Sequence, residues 1–197
     1  KNSKIAVNVP VFNEYIRCFK EAEIIEIDNS KHDYKLDVSS IKKAIDAADY
    51  TIIVTPDNPS GFMLSQKEII ELCEYAKAKG KHIVIDESFA DFARSEERFT
   101  LINEDFVEKY PDAIVIKSIS KSYGVPGLRL GLLASGDEKL LSEIKQEMQV
   151  WNINSFAEYY LQIYQLYAKD YAAACDKIVI ERDYLISEIS KFKGVKV

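Results

Sequence analysis

The sequence predicts an α/β protein built as a three-layer, doubly wound, mainly parallel sheet. Three observations predict it. Short β-branched apolar runs recur through the first two thirds of the chain, helical patterns lie between them, and three of the runs end in a polar residue able to do chemistry. The runs at 5–9, 24–27, 51–54, 82–85 and 113–116 read as buried strands, being short and rich in Ile and Val. A sixth, at 130–134, follows the turn Pro126-Gly127. Among the helices, 40–48 places Ile41, Ala44, Ile45 and Ala48 on one face. The segment 65–79 opens with the capping box Ser65-Gln66-Lys67-Glu68 and stops at Gly80. From Asp137 onward the pattern is helix alone, over 137–150, 155–168 and 171–192. Val195-Lys196-Val197 reads as the opening of a further strand, and the first residue is Lys1 rather than Met. The chain is therefore expected to be a piece of a longer protein. Its expected division is a large domain over 1–170 and an interdomain helix with the start of a small domain over 171–197.

Composition narrows the function classes. The chain has 197 residues, enough for one large domain or a domain with part of another. A net charge of −6 argues against nucleic acid as a partner, because phosphate backbones call for clustered Lys and Arg. Cys18, Cys73 and Cys175 are odd in number and widely spaced, which fits a reducing, cytoplasmic compartment and gives neither a disulfide framework nor a metal motif. With only His32 and His82, far apart, no metal site is expected. No apolar stretch has the length of a membrane span, and no signal peptide opens the chain.

The strand ends carry the chemistry. The third run leads into Thr55-Pro56-Asp57-Asn58-Pro59-Ser60-Gly61, the fourth into Asp86-Glu87-Ser88-Phe89, and the fifth into Ser118-Ile119-Ser120-Lys121. In open α/β sheets, ligands bind at the edge formed by the carboxyl ends of the strands. A strand-end lysine suits Schiff-base chemistry. Pyridoxal phosphate asks a protein for an amine, for a carboxylate at the pyridine nitrogen, for a donor to the phenolic oxygen and for a phosphate cup. Lys121, Asp86 and Asn58 match the first three by type, and Ser118, Ser120 and Arg129 suit the phosphate. Each of these alone has an ordinary structural explanation. Asn58-Pro59-Ser60-Gly61 is a turn sequence, Lys121 and Arg129 are surface cations, and a strand ending in Asp-Glu also occurs in nucleotide-binding proteins. The last alternative needs a G-x-x-x-x-G-K-S/T loop, and the sequence has none. The set, in this order, favours the cofactor.

These segments together resemble the fold-type I pyridoxal-phosphate enzymes, aminotransferase class I/II. Within that family they are most similar to the branch of histidinol-phosphate aminotransferases and threonine-phosphate decarboxylases. The likeness rests on Pro10-Val11-Phe12-Asn13-Glu14-Tyr15, Asn58-Pro59-Ser60-Gly61, Asp86-Glu87-Ser88-Phe89-Ala90-Asp91-Phe92, Ser118-Ile119-Ser120-Lys121, Pro126-Gly127-Leu128-Arg129-Leu130-Gly131 and Trp151-Asn152-Ile153-Asn154-Ser155. The resemblance implies the large domain of the transferase fold, with the C-terminal helices leading toward a small domain. It implies Lys121 as the residue of the internal aldimine and carrier of the Cα proton. Asp86 is implied for the pyridinium, Asn58 for the phenolic oxygen, and Ser118, Arg129 and, more weakly, Ser120 for the phosphate. Phe89 stands where many relatives have Tyr and has no hydroxyl to donate, which leaves more of that task to Asn58. Asn154 is implied for the substrate or, equally, as a helix cap, whereas Tyr15 and Tyr123 are assigned to packing and Trp151 to the core.

The family's glycine-rich phosphate loop and ring-stacking aromatic are expected to precede this stretch, and its carboxylate-binding arginine to follow it. The resemblance further implies a small amino-acid-type substrate and a homodimer of the parent enzyme. The expected function is amino-group transfer, and the chain by itself is expected to be inactive. A decarboxylase of an O-phospho amino acid is the alternative, favoured by the Asp91-Phe92 and Pro126–Gly131 details. A catalytically silent fragment or scaffold is the third.

Overall fold

The computed structural model describes residues 3–195. Six strands form one sheet: β1 (Lys4–Val9), β2 (Glu23–Asp28), β3 (Tyr50–Val54), β4 (His82–Asp86), β5 (Ala113–Ser118) and β6 (Gly131–Ser135). Their order is β2-β1-β3-β4-β5-β6; the first five strands pair in parallel and β6 is antiparallel to β5. The mainly parallel α/β expectation holds, and the six expected apolar runs are these six strands.

Alternation along each strand divides the side chains between two faces. Ala6, Ile53, Ile83, Ile85 and Val115 pack against α2 (Val38–Ala47) and α3 (Gln66–Lys79) through Ile41, Ile45, Ile69 and Leu72. On the other face Ile5, Val7, Ile52 and Val54 pack with Tyr15 of α1 (Glu14–Cys18) and with Val84. Asp37 caps α2 by accepting from the Ser40 amide. At α3 the expected capping box is complete: Ser65 accepts from the Glu68 amide and Glu68 accepts from the Ser65 amide. Gly80 closes this helix at a φ of 60°, a left-handed geometry that suits glycine.

The short helices α4 (Glu104–Lys109) and α5 (Ile119–Ser122) flank β5, and α6 (Glu138–Glu147) follows β6. The segment expected as one helix over 155–168 is α7 (Ser155–Ile163), a 3-10 turn over Tyr164–Tyr167, and then the start of α8. Helix α8 runs unbroken over Ala168–Ile189, so it begins before the expected 171 and ends before 192. Val195 lies in coil, and Lys196 and Val197, where a further strand was expected to open, lie outside the described residues.

The expectation of a core position for Trp151 is corrected. Its side chain is 93% exposed, in a turn where its own φ is 58°, and Val150 and Phe156 beside it are exposed as well. Val150 and Trp151 lie in the short link between α6 and α7, and Phe156 is on the first turn of α7. Among the described residues, no helix is long and apolar enough to cross a membrane, and no group of His, Cys, Asp and Glu side chains is arranged to hold a metal ion.

The antiparallel return of β6 depends on a close approach just after it. A Cβ on Gly136 would stand 2.1 Å from the Val107 carbonyl oxygen and 3.2 Å from the Pro111 Cα. Both neighbours are backbone and cannot swing away. Gly136→Ala is therefore expected to cost about 1–3 kcal/mol or more, as overpacking does. Urea unfolding of the variant beside the wild-type chain measures it.

Candidate active site

Parallel pairing brings three strand ends level. Val54 pairs with Asp86 and Asp86 with Ile116, so the segments after β3, β4 and β5 leave the sheet along one edge. Lys121 sits on the single turn of α5 directly after β5, and Arg129 follows the 3-10 turn Pro126–Leu128. Asp86, Ser118, Ser120, Lys121 and Arg129 line one cavity of about 510 Å³, whose other wall includes Phe12 and Tyr15. The structure thus brings together five of the residues expected from sequence. Asn58 and Phe89 line a neighbouring cavity of about 550 Å³. Phe89 links the two, because its ring centroid lies 4.3 Å from the Lys121 Nζ. The same Nζ lies 5.8 Å from the ring centroid of Phe12, within cation–π range.

The Asp86 carboxylate is buried and held on both oxygens. Oδ1 accepts from the Ser88 amide at 2.8 Å, and Oδ2 accepts from the Tyr15 hydroxyl. Burial, and after it the negative charge of Asp86, pushes the Tyr15 phenol far above its ordinary pKa, so it stays a donor. Tyr15, expected only to pack, therefore does more. Ser88 also accepts from the Ser118 amide at 2.8 Å, which ties the end of β4 to the end of β5.

The Asn58 loop is fixed by its neighbour. Buried Asp57 accepts from Asn8 Nδ2 at 2.6 Å and from the Ser60 hydroxyl at 2.5 Å. Gly61 completes the turn at a φ of 74°. Ser120 donates its hydroxyl to the Leu130 carbonyl at 3.3 Å, so a phosphate would find it as a partner already engaged. Arg129 has a left-handed φ of 56° and donates to the Pro126 carbonyl at 3.1 Å. Asn154 serves as the N-cap of α7, accepting from the Ala157 amide at 3.0 Å while its Nδ2 donates to the Leu128 carbonyl. It lines neither cavity, and of its two expected roles the structure supplies the cap.

On the opposite face of the sheet lies a charged cluster that the sequence reading did not single out. Buried Lys117 reaches Asp91 at 2.9 Å and Glu87 at 3.7 Å. Glu87 also accepts from the Thr100 hydroxyl at 2.5 Å and the Leu101 amide at 2.9 Å. Burial dominates at Glu87 and raises its carboxyl. At Asp91 burial also acts upward, but the hydrogen bonds from Lys117 and Tyr171 outweigh it and hold the carboxyl below its ordinary value.

The family model of aminotransferase class I and II matches residues 1–197. The chain belongs to this family. It is 30% identical over 201 residues to the L-serine phosphate decarboxylase of Campylobacter jejuni, covering 98% of this chain and 50% of that protein. It is 31% identical over 204 residues to the histidinol-phosphate aminotransferase of Clostridium novyi, covering 100% of this chain and 53% of that one. The crystal structure of the histidinol-phosphate aminotransferase from Clostridium acetobutylicum superposes with a TM-score of 0.86 at 28% identity, over 100% of this chain and 58% of that one. The chain thus spans about half the length of these relatives.

Pyridoxal phosphate is the cofactor of the family. The residues present fit it: an amine, a doubly held carboxylate, a guanidinium and two serines line one cavity beside two phenyl rings. Phe12 adds an aromatic wall to that cavity. Phe12 lies in the coil before α1, and Tyr15 on α1 lines the same cavity.

Two measurements test the arrangement. Tyr15→Phe is expected to cost about 1.5–3 kcal/mol of folding stability, the range for a hydrogen bond to a charged group. In a double-mutant cycle with Asp86→Asn, the two losses should be strongly non-additive. The second concerns pH. The Asp91 carboxyl is depressed in the folded chain, so its contribution is complete above the unfolded value of about 3.9 and is lost as pH falls through the lower folded value. Glu87, raised on folding, acts in the opposite sense. Asp91→Asn is expected to be less stable near neutrality, because it weakens the partner of a buried ammonium, and to lose stability less steeply on acidification below about pH 4. Urea midpoints across the acid range read both effects.

Proposed function

We propose that this chain holds the reaction centre of a pyridoxal-phosphate aminotransferase, with Lys121 as the amine that captures the cofactor and carries the substrate's Cα proton. The observation that carries this is the convergence of Lys121, Asp86 and Arg129 on one cavity at the carboxyl edge of the sheet. When bound, pyridoxal phosphate supplies an aldehyde and a ring that withdraws electrons. Asp86 holds a proton on the ring nitrogen, and the donors Tyr15 and Ser88 fix its carboxylate for that task. Arg129 and Ser118 bind the phosphate, with Ser120 secondary because its hydroxyl is engaged at Leu130. Phe12 would offer its ring as a wall, and Asn58, in the neighbouring cavity, would be the donor to the phenolic oxygen. Phe89, lacking a hydroxyl, shares none of that donation. Residues 1–170 act as the cofactor-binding large domain, with 171–197 leading toward a small domain in a homodimeric, cytoplasmic parent enzyme. Its substrate is a small amino-acid-type molecule.

The family relatives divide between two reactions at near-equal identity, which favours a second reading: a decarboxylase of an O-phospho amino acid that uses the same lysine. The groups that grip the substrate's carboxylate would decide which Cα bond breaks. The decisive experiment uses the parent protein with pyridoxal phosphate, an amino-acid panel and 2-oxoglutarate. Amino-group appearance on the acceptor supports transfer; carbon dioxide release with no accepted amino group supports decarboxylation. Lys121→Ala is expected to lower either activity by at least about a thousandfold, in line with loss of a general acid–base group together with covalent capture. Unchanged spectrum and turnover in that variant would leave a silent scaffold as the function.

A further inference from the structure

We propose that Asp91 is a positioning residue for Lys121, acting through Ser122 and linking the lysine turn to the first turn of α8; the functional part of this rests on Lys121 being the reactive amine.

Helix α5 is a single turn of four residues. One turn fixes several dihedrals for almost no internal hydrogen bonding, so it does not hold itself. Its N-cap residue, Ser118, makes no side-chain cap bond. The turn is held from outside instead. At its start the Ile119 amide donates to the Leu130 carbonyl at 3.1 Å. At its end Ser122, the neighbour of Lys121, donates its hydroxyl to Asp91 Oδ2 at 3.1 Å. The same oxygen accepts from the Tyr171 hydroxyl at 2.7 Å, and Oδ1 accepts from Lys117 at 2.9 Å. One carboxylate therefore joins the turn after β4, strand β5, helix α5 and helix α8.

A second contact grips the same place. Tyr123, directly after α5, stacks on Tyr171 with ring centroids 3.9 Å apart and planes 6° from parallel. Helix α8 thus holds the lysine turn twice, through Asp91 and through this ring pair. Catalytic groups need placement within about half an ångström, which supporting contacts of this kind supply. The Lys117 ammonium offsets the charge of Asp91, which leaves its Oδ2 to receive the two hydroxyls.

Asp91→Ala would leave Lys117 buried beside fewer charges, so softer variants carry the test: Ser122→Ala, Ser122→Thr and Tyr171→Phe in the 197-residue chain. Arg94→Ala, which removes the Arg94–Asp183 contact of α8 at 2.7 Å outside the lysine turn, is the control. The folded chains are treated with limiting acetic anhydride, and acetylation of Lys121 is compared with that of exposed Lys139 by mass spectrometry. In parallel, pyridoxal phosphate and borohydride tag reactive lysines. Ser122→Ala and Tyr171→Phe are expected to change the Lys121-to-Lys139 ratio by about threefold or more, the scale of one lost hydrogen bond. Ser122→Thr should restore it and Arg94→Ala should leave it unchanged. An unchanged ratio in both Ser122→Ala and Tyr171→Phe overturns the proposal, as does an equal change in Arg94→Ala, which would mark general loosening. If the ratio changes as expected while wild-type Lys121 takes no pyridoxyl tag, the clamp stands and Lys121 as the cofactor lysine fails. If Lys121 is tagged while the ratio stays fixed, the clamp fails alone.

Discussion

The register of β4 between β3 and β5 is the constraint on which the rest of this structure depends. Asp86 and Glu87 are adjacent, and strand alternation sends neighbouring side chains to opposite faces. With Asp86 level with Val54 and Ile116, its carboxylate faces Tyr15 and the lysine cavity. Glu87 turns the other way, to Thr100, Leu101 and Lys117. A slip of one residue would exchange the two carboxylates and reverse every apolar side chain of the strand. The buried isoleucines and valines of the central strands prevent it, since each face already has its own packed cluster. Hydrophobic pattern and cofactor chemistry are thus one constraint seen at two scales.

Three carboxylates near this edge show how surroundings assign roles to one functional group. Asp86 is held by a phenol and an amide, both neutral donors, and lines the lysine cavity. Asp91 is paired with an ammonium and two hydroxyls and is consumed in joining segments of the chain. Glu87 has one hydroxyl, one amide and a more distant ammonium against deep burial, and burial prevails. Residue type alone distinguishes none of these; hydrogen-bond partners do.

Much of this was legible in the sequence, and what was not has a common cause. The strands, α2 and α3 are written locally, in apolar runs, the Ser65–Glu68 box and Gly80. The strand-end set of Asp86, Ser118, Ser120, Lys121 and Arg129 follows from those strands, and it does converge on one cavity. The unread parts involve partners distant along the chain. Tyr15 meets Asp86 across 71 positions and Tyr171 meets Asp91 across 80, and no local pattern announces either. The break between α7 and α8 is similar, because the apolar spacing of 155–168 continues through a segment whose backbone tightens into a 3-10 turn. Trp151 misled through its size, since large aromatic residues are usually buried on average.

That exposed indole has a consequence for anyone who works with the protein by light. Trp151 is the single tryptophan of the chain and stands almost wholly in solvent, while its core is lit only by tyrosines and phenylalanines. Its emission in the folded chain already resembles that of a hydrated indole, so denaturation moves it little and fluorescence makes a poor unfolding meter. The same property makes it a sensitive lamp for its own neighbourhood. Anything that settles over Val150, Trp151 and Phe156 dehydrates the ring and shifts its colour toward the blue, with no label added.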